Sequence, residues 1–521
     1  MSESKANILW VDDEIELLRP HILLLMEKGY LVDTATNGED ALELVREKVF
    51  DLVFLDEMMS GMGGLRTLAE MKERHPNLPV VMITKNEEEA LMEEAIGGKI
   101  SDYLTKPVNP SQVLLACKKI LEGKKITGEH ISKDYIREFN AISQALLSPL
   151  SHVEWQEIYA KLSSWEVEVD QHPELELRQL LSDQIRECNQ EFGKFIERNY
   201  RHWLAQENDR PILSTDVVQK FVIPELEGPG SVFFFVIDCL RYDQWLTLEP
   251  ILYEYFTINK RFYYSILPTA TPYSRNAIFS GVYPNDIERL FPELWKKWED
   301  DDNTRNKFEK ELLDSLLKRK RVNLKPDAKY VKILEAEFGR GVEQNILSYA
   351  NNKLTSIVIN FVDMLAHGRS DSDILKEIAP DESAYRSLTR TWFDHSSLLG
   401  MLRTLSRQKD VKIILTTDHG SIRSLRGAKV VGDRETSTNL RYKYGRNLKC
   451  DNKQAVFVKD PTHFRLPKRG VTINYIIAKE DYYFVYPTEY HKYLNLYRDT
   501  FQHGGISMQE MILPVISLVP K

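Results

Sequence analysis

Toward the end of the chain an apolar run, Ile413-Ile414-Leu415, passes through two threonines into Asp418-His419 and a glycine. A carboxylate beside an imidazole at a strand end suits a metal site, and equally a polar turn without chemistry. Partners decide between these. Two other apolar runs lead into carboxylates, SVFFFVID into Asp238 and the run ahead of NFVD into Asp363. His367 follows Asp363 at a spacing that shares one face of a helix. His503 lies in FQHGGISMQEMILPV, where Gly504 and Gly505 permit a tight turn. Three aspartates and three histidines suit a borderline cation such as zinc, and are enough for two ions. Two ions about 4 Å apart clamp a phosphate and the group that attacks it. LPTATPYSRNAIFSG supplies candidate attacking hydroxyls, Thr269, Thr271 and Ser274, each of which needs a metal or base to activate it.

A second constellation lies in the first hundred or so residues. Asp12 and Asp13 follow one apolar run, Asp56 and Thr84 end two others, and Lys106 precedes Pro107. Carboxylates converging on one rim repel one another unless a divalent cation sits among them, and magnesium with oxygen ligands meets that need. The nearby lysine and hydroxyl suit a phosphoryl group. Singly, each aspartate suits a solvated loop, and each histidine a surface or core role, as His152, His172, His202, His395, His463 and His491 are read.

The elements that must position these residues follow from periodicity. NILWV, YLVDTA, DLVFLD, PVVMIT and DYLTKP read as strands. Helices fall between them, near Glu16–Lys28, Glu39–Glu47, Leu65–Glu73 and Glu87–Ile96, with a last one near Pro110–Gly123. That alternation predicts a parallel, doubly wound sheet, whose ligand site lies at the carboxyl ends of the strands. Residues 124–210 change to helical spacing and predict a bundle of about three helices, interrupted at DQHPE, with Trp155, Trp165 and Trp203 as packing residues. From about Pro211 strands and helices alternate again. The expected fold class is thus α/β throughout, with a helical bundle between: 1–123, 124–210 and 211–521.

The strand-end residues of the first part resemble the receiver domain of two-component response regulators, which has a flavodoxin-like fold. The resemblance implies phosphorylation of Asp56, magnesium held by Asp12, Asp13 and Asp56, and switching through Thr84, Tyr103 and Lys106. Ser60 departs from the proline usual in that loop. In the last part the order Asp, Thr, Asp-x-x-x-His, Asp-His, His resembles the PglZ branch of the alkaline phosphatase superfamily. It implies one zinc on Asp363, His367 and His503 and another on Asp238, Asp418 and His419. Thr271 would bridge to the metals and form a phosphothreonine that water hydrolyses. T-P-Y-S-R differs from the sulfatase C-x-P-x-R, with threonine for cysteine and Pro272 one place early, which disfavours a sulfatase. The whole arrangement resembles PorX-type response regulators, associated with type IX secretion. That implies a cognate sensor histidine kinase, and a sigma factor or secretion-system component as further partners.

Composition bounds the rest. The chain has 521 residues and a formal charge of −9, against a whole-surface nucleic-acid binder. Four scattered cysteines without a CxxC pair read as reduced thiols, and no apolar run is long enough to span a bilayer. The expectation is a cytoplasmic protein without a DNA-binding domain of its own. The stretch KRKRVNLKPDAKYVK is locally basic and reads as a solvated surface; facing the metals, it would guide a nucleic-acid phosphodiester. The expected function is a response regulator, phosphorylated and dimerised through its receiver, whose output is a two-zinc phosphodiesterase acting on nucleotides or oligonucleotides. The alternative is a phosphorylation-gated scaffold with a structural or vestigial metal site.

Overall fold

The computed structural model describes residues 5–85, 100–206, 208, 210–294, 306–433, 437–468, 470 and 472–521. The helix expected near Glu87–Ile96 lies outside them. The chain divides into two compact units, one ending at Ile136 and one beginning at Arg137.

In the first unit β1 (Asn7–Val11), β2 (Leu31–Ala35), β3 (Leu52–Asp56), β4 (Val80–Thr84) and β5 (Asp102–Thr105) form a parallel sheet in the order β2-β1-β3-β4-β5. Helices α1 (Arg19–Glu27), α2 (Gly38–Glu47), α3 (Gly64–Arg74) and α4 (Pro110–Cys117) connect and flank it. Successive side chains of a strand point to opposite faces, so continuous apolar runs build two cores. Leu9, Val11, Val53, Leu55, Val80 and Met82 fill one. Ile8, Trp10, Leu52, Phe54, Val81 and Ile83 fill the other.

Two helix boundaries differ from expectation. The segment before α1 is a 3-10 turn, Ile15–Leu18, and the α-helix starts only where Pro20 occupies its first turn. The last helix does not stop at Gly123. Its end passes through a π-helical turn, Lys118–Glu122, into α5 (Gly123–Ala145). Gly123 has φ −54°, a right-handed helical value, so it does not supply the left-handed cap that ends helices.

In the second unit α6 (His152–Gln171) opens on a capping box. The Glu154 N–H donates to Ser151 Oγ at 3.3 Å, and the Ser151 N–H to Glu154 Oε2 at 2.7 Å. The helix ends ahead of Pro173, and α7 (Arg178–Ala205) returns with Leu181, Cys188, Phe192, Ile196, Tyr200 and Trp203 buried. Trp155 and Trp203 are packing residues: Trp155 meets Phe192 at 5.4 Å and Trp203 meets Phe195 at 5.5 Å.

The larger sheet contains β6 (Ser231–Ile237), β7 (Phe256–Tyr264), β8 (Lys329–Ile333), β9 (Leu354–Ile359), β10 (Val411–Thr416) and a long C-terminal strand. Between β10 and that strand, β11 (Ile422–Ser424) and β12 (Thr500–Gln502) form an antiparallel pair. The long strand is β13 (Ile512–Pro520), and the sheet order is β7-β13-β10-β6-β9-β8. The four strands from β10 to β8 are parallel; β13 and β7 close one edge antiparallel. Every residue of β6 is buried, as its continuous apolar run requires. Five helices bear on the site: α8 (Tyr242–Leu252), α9 (Thr271–Ser280), α10 (Glu309–Arg319), α11 (Phe361–Asp371) and α12 (Glu382–Asp394).

Candidate metal centre

The three central parallel strands, β10, β6 and β9, run side by side, so their carboxyl ends open on one rim. Asp238 is the first residue after β6, and Asp418 and His419 follow β10 by two and three positions. Asp363 lies in the first turn of α11, just beyond β9. The segment from 361 to 371 is helical, so His367 shares a face with Asp363, and their side chains meet at 3.4 Å. His503 follows β12, which pairs with β11 and so returns the chain beside His419. Gly504 makes the turn possible. Its φ is +115°, and a Cβ there would lie 2.5 Å from the Tyr442 ring.

These residues form two adjoining trios, Asp363 with His367 and His503, and Asp238 with Asp418 and His419. Within each, one ligand atom per residue lies within 4.8 Å of the others. The trios touch through stacked imidazoles, His419 on His503, with centroids 4.2 Å apart. Asp238 Oδ1, Asp363 Oδ1 and Asp418 Oδ2 are buried and accept no hydrogen bond. Buried polar atoms are normally satisfied, so oxygens aimed inward together fit a cation. His419 Nδ1 lies 3.2 Å from the Gly420 carbonyl. A proton on Nδ1 serves that contact and leaves Nε2 with its lone pair facing Asp238 and Asp418, the orientation a metal ligand needs. Burial pushes His419 and His503 below the ordinary histidine range, so both rings are neutral near pH 7. Burial, with Asp418 and Asp363 close by, raises Asp238 to about 8 against the pull of Arg275. The donor set therefore fits borderline divalent cations, with oxygen and imidazole nitrogen in each trio.

Thr271 opens α9, with its Oγ1 2.9 Å from Nε2 of His419. The other two candidate hydroxyls point elsewhere. Thr269 donates to the Gly505 carbonyl at 2.8 Å and accepts the Gly504 N–H, so it pins the turn after His503. Ser274 donates to Ala270 within its own helix.

Two arginines lie beside the trios in sequence, Arg241 and Arg275. Arg275, 1% exposed, contacts Asp238 Oδ2 at 2.8 Å and Glu309 Oε1 at 2.7 Å. Glu309 is in turn held by Tyr330 and Lys332. Arg275 therefore fixes one oxygen of Asp238 and leaves the other facing His419. Arg241 is paired with Asp243 and Glu382. Glu309 lay outside every motif in the sequence; its only signal was a carboxylate opening an amphipathic helix. The basic stretch runs up to and into β8, and most of it precedes that parallel strand. Residues 320–328 therefore lie toward the amino ends of the sheet, and it is Tyr330 and Lys332, within β8, that reach Glu309 beside Arg275.

In the first unit Asp12, Asp13 and Asp56 also offer ligand atoms within 4.8 Å of one another. Lys106 Nζ bridges Asp12 and Asp56 at 2.9 Å each. Burial raises the Asp56 carboxyl, although Lys106 opposes the shift. Thr84 hydrogen-bonds Glu57, the residue after Asp56, and Tyr103 is 42% exposed on β5.

Residues 217–518 match the family model described as the BREX system PglZ alkaline phosphatase-like domain. Residues 8–118 match the response regulator receiver domain and 125–204 the PorX response regulator linker domain. Among curated proteins, the alginate biosynthesis transcriptional regulatory protein AlgB of Pseudomonas aeruginosa is 38% identical over 126 residues, 24% of this chain and 28% of that one. The transcriptional regulatory protein ZraR of Klebsiella oxytoca is 34% identical over 145 residues, 28% of this chain and 33% of that one. The chain thus spans about a third or less of the length of these relatives. The receiver domain of NtrX from Brucella abortus is a similar solved structure, 33% identical, with 22% of this chain and 98% of that one covered and a TM-score of 0.21.

Proposed function

The chain belongs to the PglZ alkaline-phosphatase-like family, in the domain order of PorX-type response regulators, and we propose that it is a phosphorylation-controlled two-zinc phosphodiesterase acting on nucleotide or oligonucleotide diesters. The observation that carries this reading is Thr271 Oγ1 at 2.9 Å from His419 Nε2, beside both ligand trios. Asp363, His367 and His503 would hold one zinc, and Asp238, Asp418 and His419 the other. Zinc, when bound, supplies Lewis-acid stabilisation of the phosphate charge and favours ionised oxygen nucleophiles at neutral pH.

The chain's own residues do the rest. Thr271 is the nucleophile: its Oγ1 bonds to phosphorus as the bond to one ester oxygen breaks, and that oxygen leaves as an alcohol with a proton. Water then cleaves the phosphothreonine, releasing a monoester and restoring the hydroxyl. Thr271 stands at the amino end of α9, where the helix dipole favours an anionic phosphate. Asp238, clamped by Arg275, and His419, oriented by Gly420, keep their ligand atoms in place without substrate.

The commitment of nearby arginines favours diesters. A terminal monoester phosphate is dianionic and calls for an additional cation. Arg275 and Arg241 are held by carboxylates. Arg369 donates to the carbonyls of Ala379 and Pro380, and Arg423 to Asp499 and Pro380.

Upstream, Asp12, Asp13 and Asp56 would hold magnesium, and Asp56 would receive the phosphoryl group from a sensor histidine kinase. Lys106, Thr84 and Tyr103 would register it, favouring a homodimer. The parts would act as receiver (1–123), linker (124–210) and catalytic domain (211–521), in a cytoplasmic protein that regulates secretion, with a sigma factor or secretion-system component as partner. No described helix is long and apolar enough to cross a membrane. The test is zinc content together with hydrolysis of matched diester and monoester substrates. Zinc-loaded protein inert to a broad diester panel would overturn the proposal in favour of a scaffold.

A further inference from the structure

Beyond the ligands, a buried charge cluster of the second unit begins three residues after Asp238. Arg241 pairs with Asp243 and Glu382. Asp243 also accepts from Arg386 on α12 at 2.8 Å. Arg386 continues to two carboxylates of α6, reaching Asp170 at 2.7 Å and Glu166 at 3.2 Å. Arg241, Asp243 and Arg386 are all under 5% exposed. This chain of charges joins the linker helix to the segment that carries Asp238.

Arg241 also touches the segments that carry other ligands. Its Cγ would lie 3.3 Å from a Cβ at Gly420, the residue after His419. Its guanidinium sits over the ring of Phe501, 5.6 Å from the centroid and two residues before His503. In the same loop the Leu240 N–H donates to Thr417 Oγ1 at 3.0 Å, and that hydroxyl donates to the His419 carbonyl at 2.8 Å. Gln244 accepts from the Arg241 N–H and donates to Thr389 of α12. Cys239 has φ +65°, a strained value for a non-glycine residue that surrounding contacts must maintain.

We propose that Arg386, Asp243 and Arg241 are positioning residues through which linker helix α6 sets the loops bearing Asp238, His419 and His503. A shift of α6 then alters metal affinity and turnover without touching a ligand. The inference rests on reading the two trios as a metal centre, and it gives the linker a regulatory role at that centre.

The test uses the full chain and zinc alone as probe. Glu166→Gln with Asp170→Asn loosens Arg386 from α6 while leaving Asp243 in place. Zinc affinity, by chelator competition, should fall about tenfold, the scale for residues that orient metal ligands. Amide exchange at 239–243 should quicken while α6 stays protected. On a diester, kcat should fall with KM unchanged. Arg386→Lys keeps the charge without the planar fork and should fall between this variant and the wild type. Wild-type zinc affinity and exchange in both variants would overturn the proposal, as would losses that appear only together with loss of protection throughout α6. Zinc and exchange readouts need no turnover. A diesterase failure alone would therefore refute the activity and leave this coupling standing or falling on its own results.

Discussion

At the residue scale the site is a set of donors held in place before any ligand arrives. Arg275 is the clearest case, because it lies between two buried carboxylates, Asp238 and Glu309. Removing one partner of a buried pair leaves uncompensated charge, which costs about 3–5 kcal/mol. Arg275→Met should lose stability on that scale in urea unfolding, and should also weaken zinc binding. Arg275→Lys should keep part of the stability. Equal stability of wild type and Arg275→Met would refute the clamp. Lys443 gives a pH test outside the metal centre. Burial pushes its ammonium from 10.5 down to about 7. Between those values the unfolded chain binds more protons than the folded one, so stability rises with pH from about 7 to 10.5 and is flat below. Lys443→Met should remove that part of the slope, as urea titrations at several pH values would read. An unchanged slope would count against it. Five of the six candidate ligands were legible in the sequence because each ends an apolar run or sits at helical spacing from one that does, whereas His503 was marked only by the two glycines after it. Arg275 was not legible, since only tertiary packing brings Glu309 and Asp238 to its two sides.

At the element scale three parallel strands side by side make the rim, and two connections complete it. The first is helix α11, which carries Asp363 and His367 on one face. The second is the excursion from β11 to β12, which brings His503 back. Gly504 carries that return. Gly504→Ala places a side chain at φ +115° against Tyr442. Strain of that kind costs on the order of 1–3 kcal/mol. The variant should unfold at lower denaturant and bind zinc more weakly, with Asp238, Asp418 and His419 the less affected trio. Unchanged zinc affinity would show that the return does not depend on this turn. The alternating elements and the β6, β9 and β10 ends could be read directly from the sequence. The helix through residues 118–145 could not, because Gly123 is a plausible stop by type and a helical residue by conformation. Strand order also lay beyond reach, since β7 and β13 join the edge from opposite ends of the domain.

At the scale of the whole molecule, a receiver domain and an alkaline phosphatase-like domain occur in one chain with helices between them in sequence. The account predicts that a phosphoryl mimic bound at Asp56 raises the solution mass toward a dimer, and that Asp56→Ala removes the response. A mass unaffected by the mimic would contradict receiver-driven dimerisation. Domain order was legible because a purely helical stretch interrupts two regions of strand–helix alternation, each with its own strand-end residues. The ion network joining Glu166 and Asp170 to Arg386 and Asp243 was not, since its members lie far apart in sequence and carry no motif. The central claim is catalytic, and the most direct measurement is diester hydrolysis by zinc-loaded wild-type protein and Thr271→Ala, with zinc content determined on the same samples. The account predicts about two zinc ions per chain in both, turnover of the diester well above the matched monoester in the wild type, and loss of turnover on the order of 100-fold or more in Thr271→Ala. Undiminished turnover in a zinc-loaded Thr271→Ala protein, or none in the zinc-loaded wild type, would contradict it.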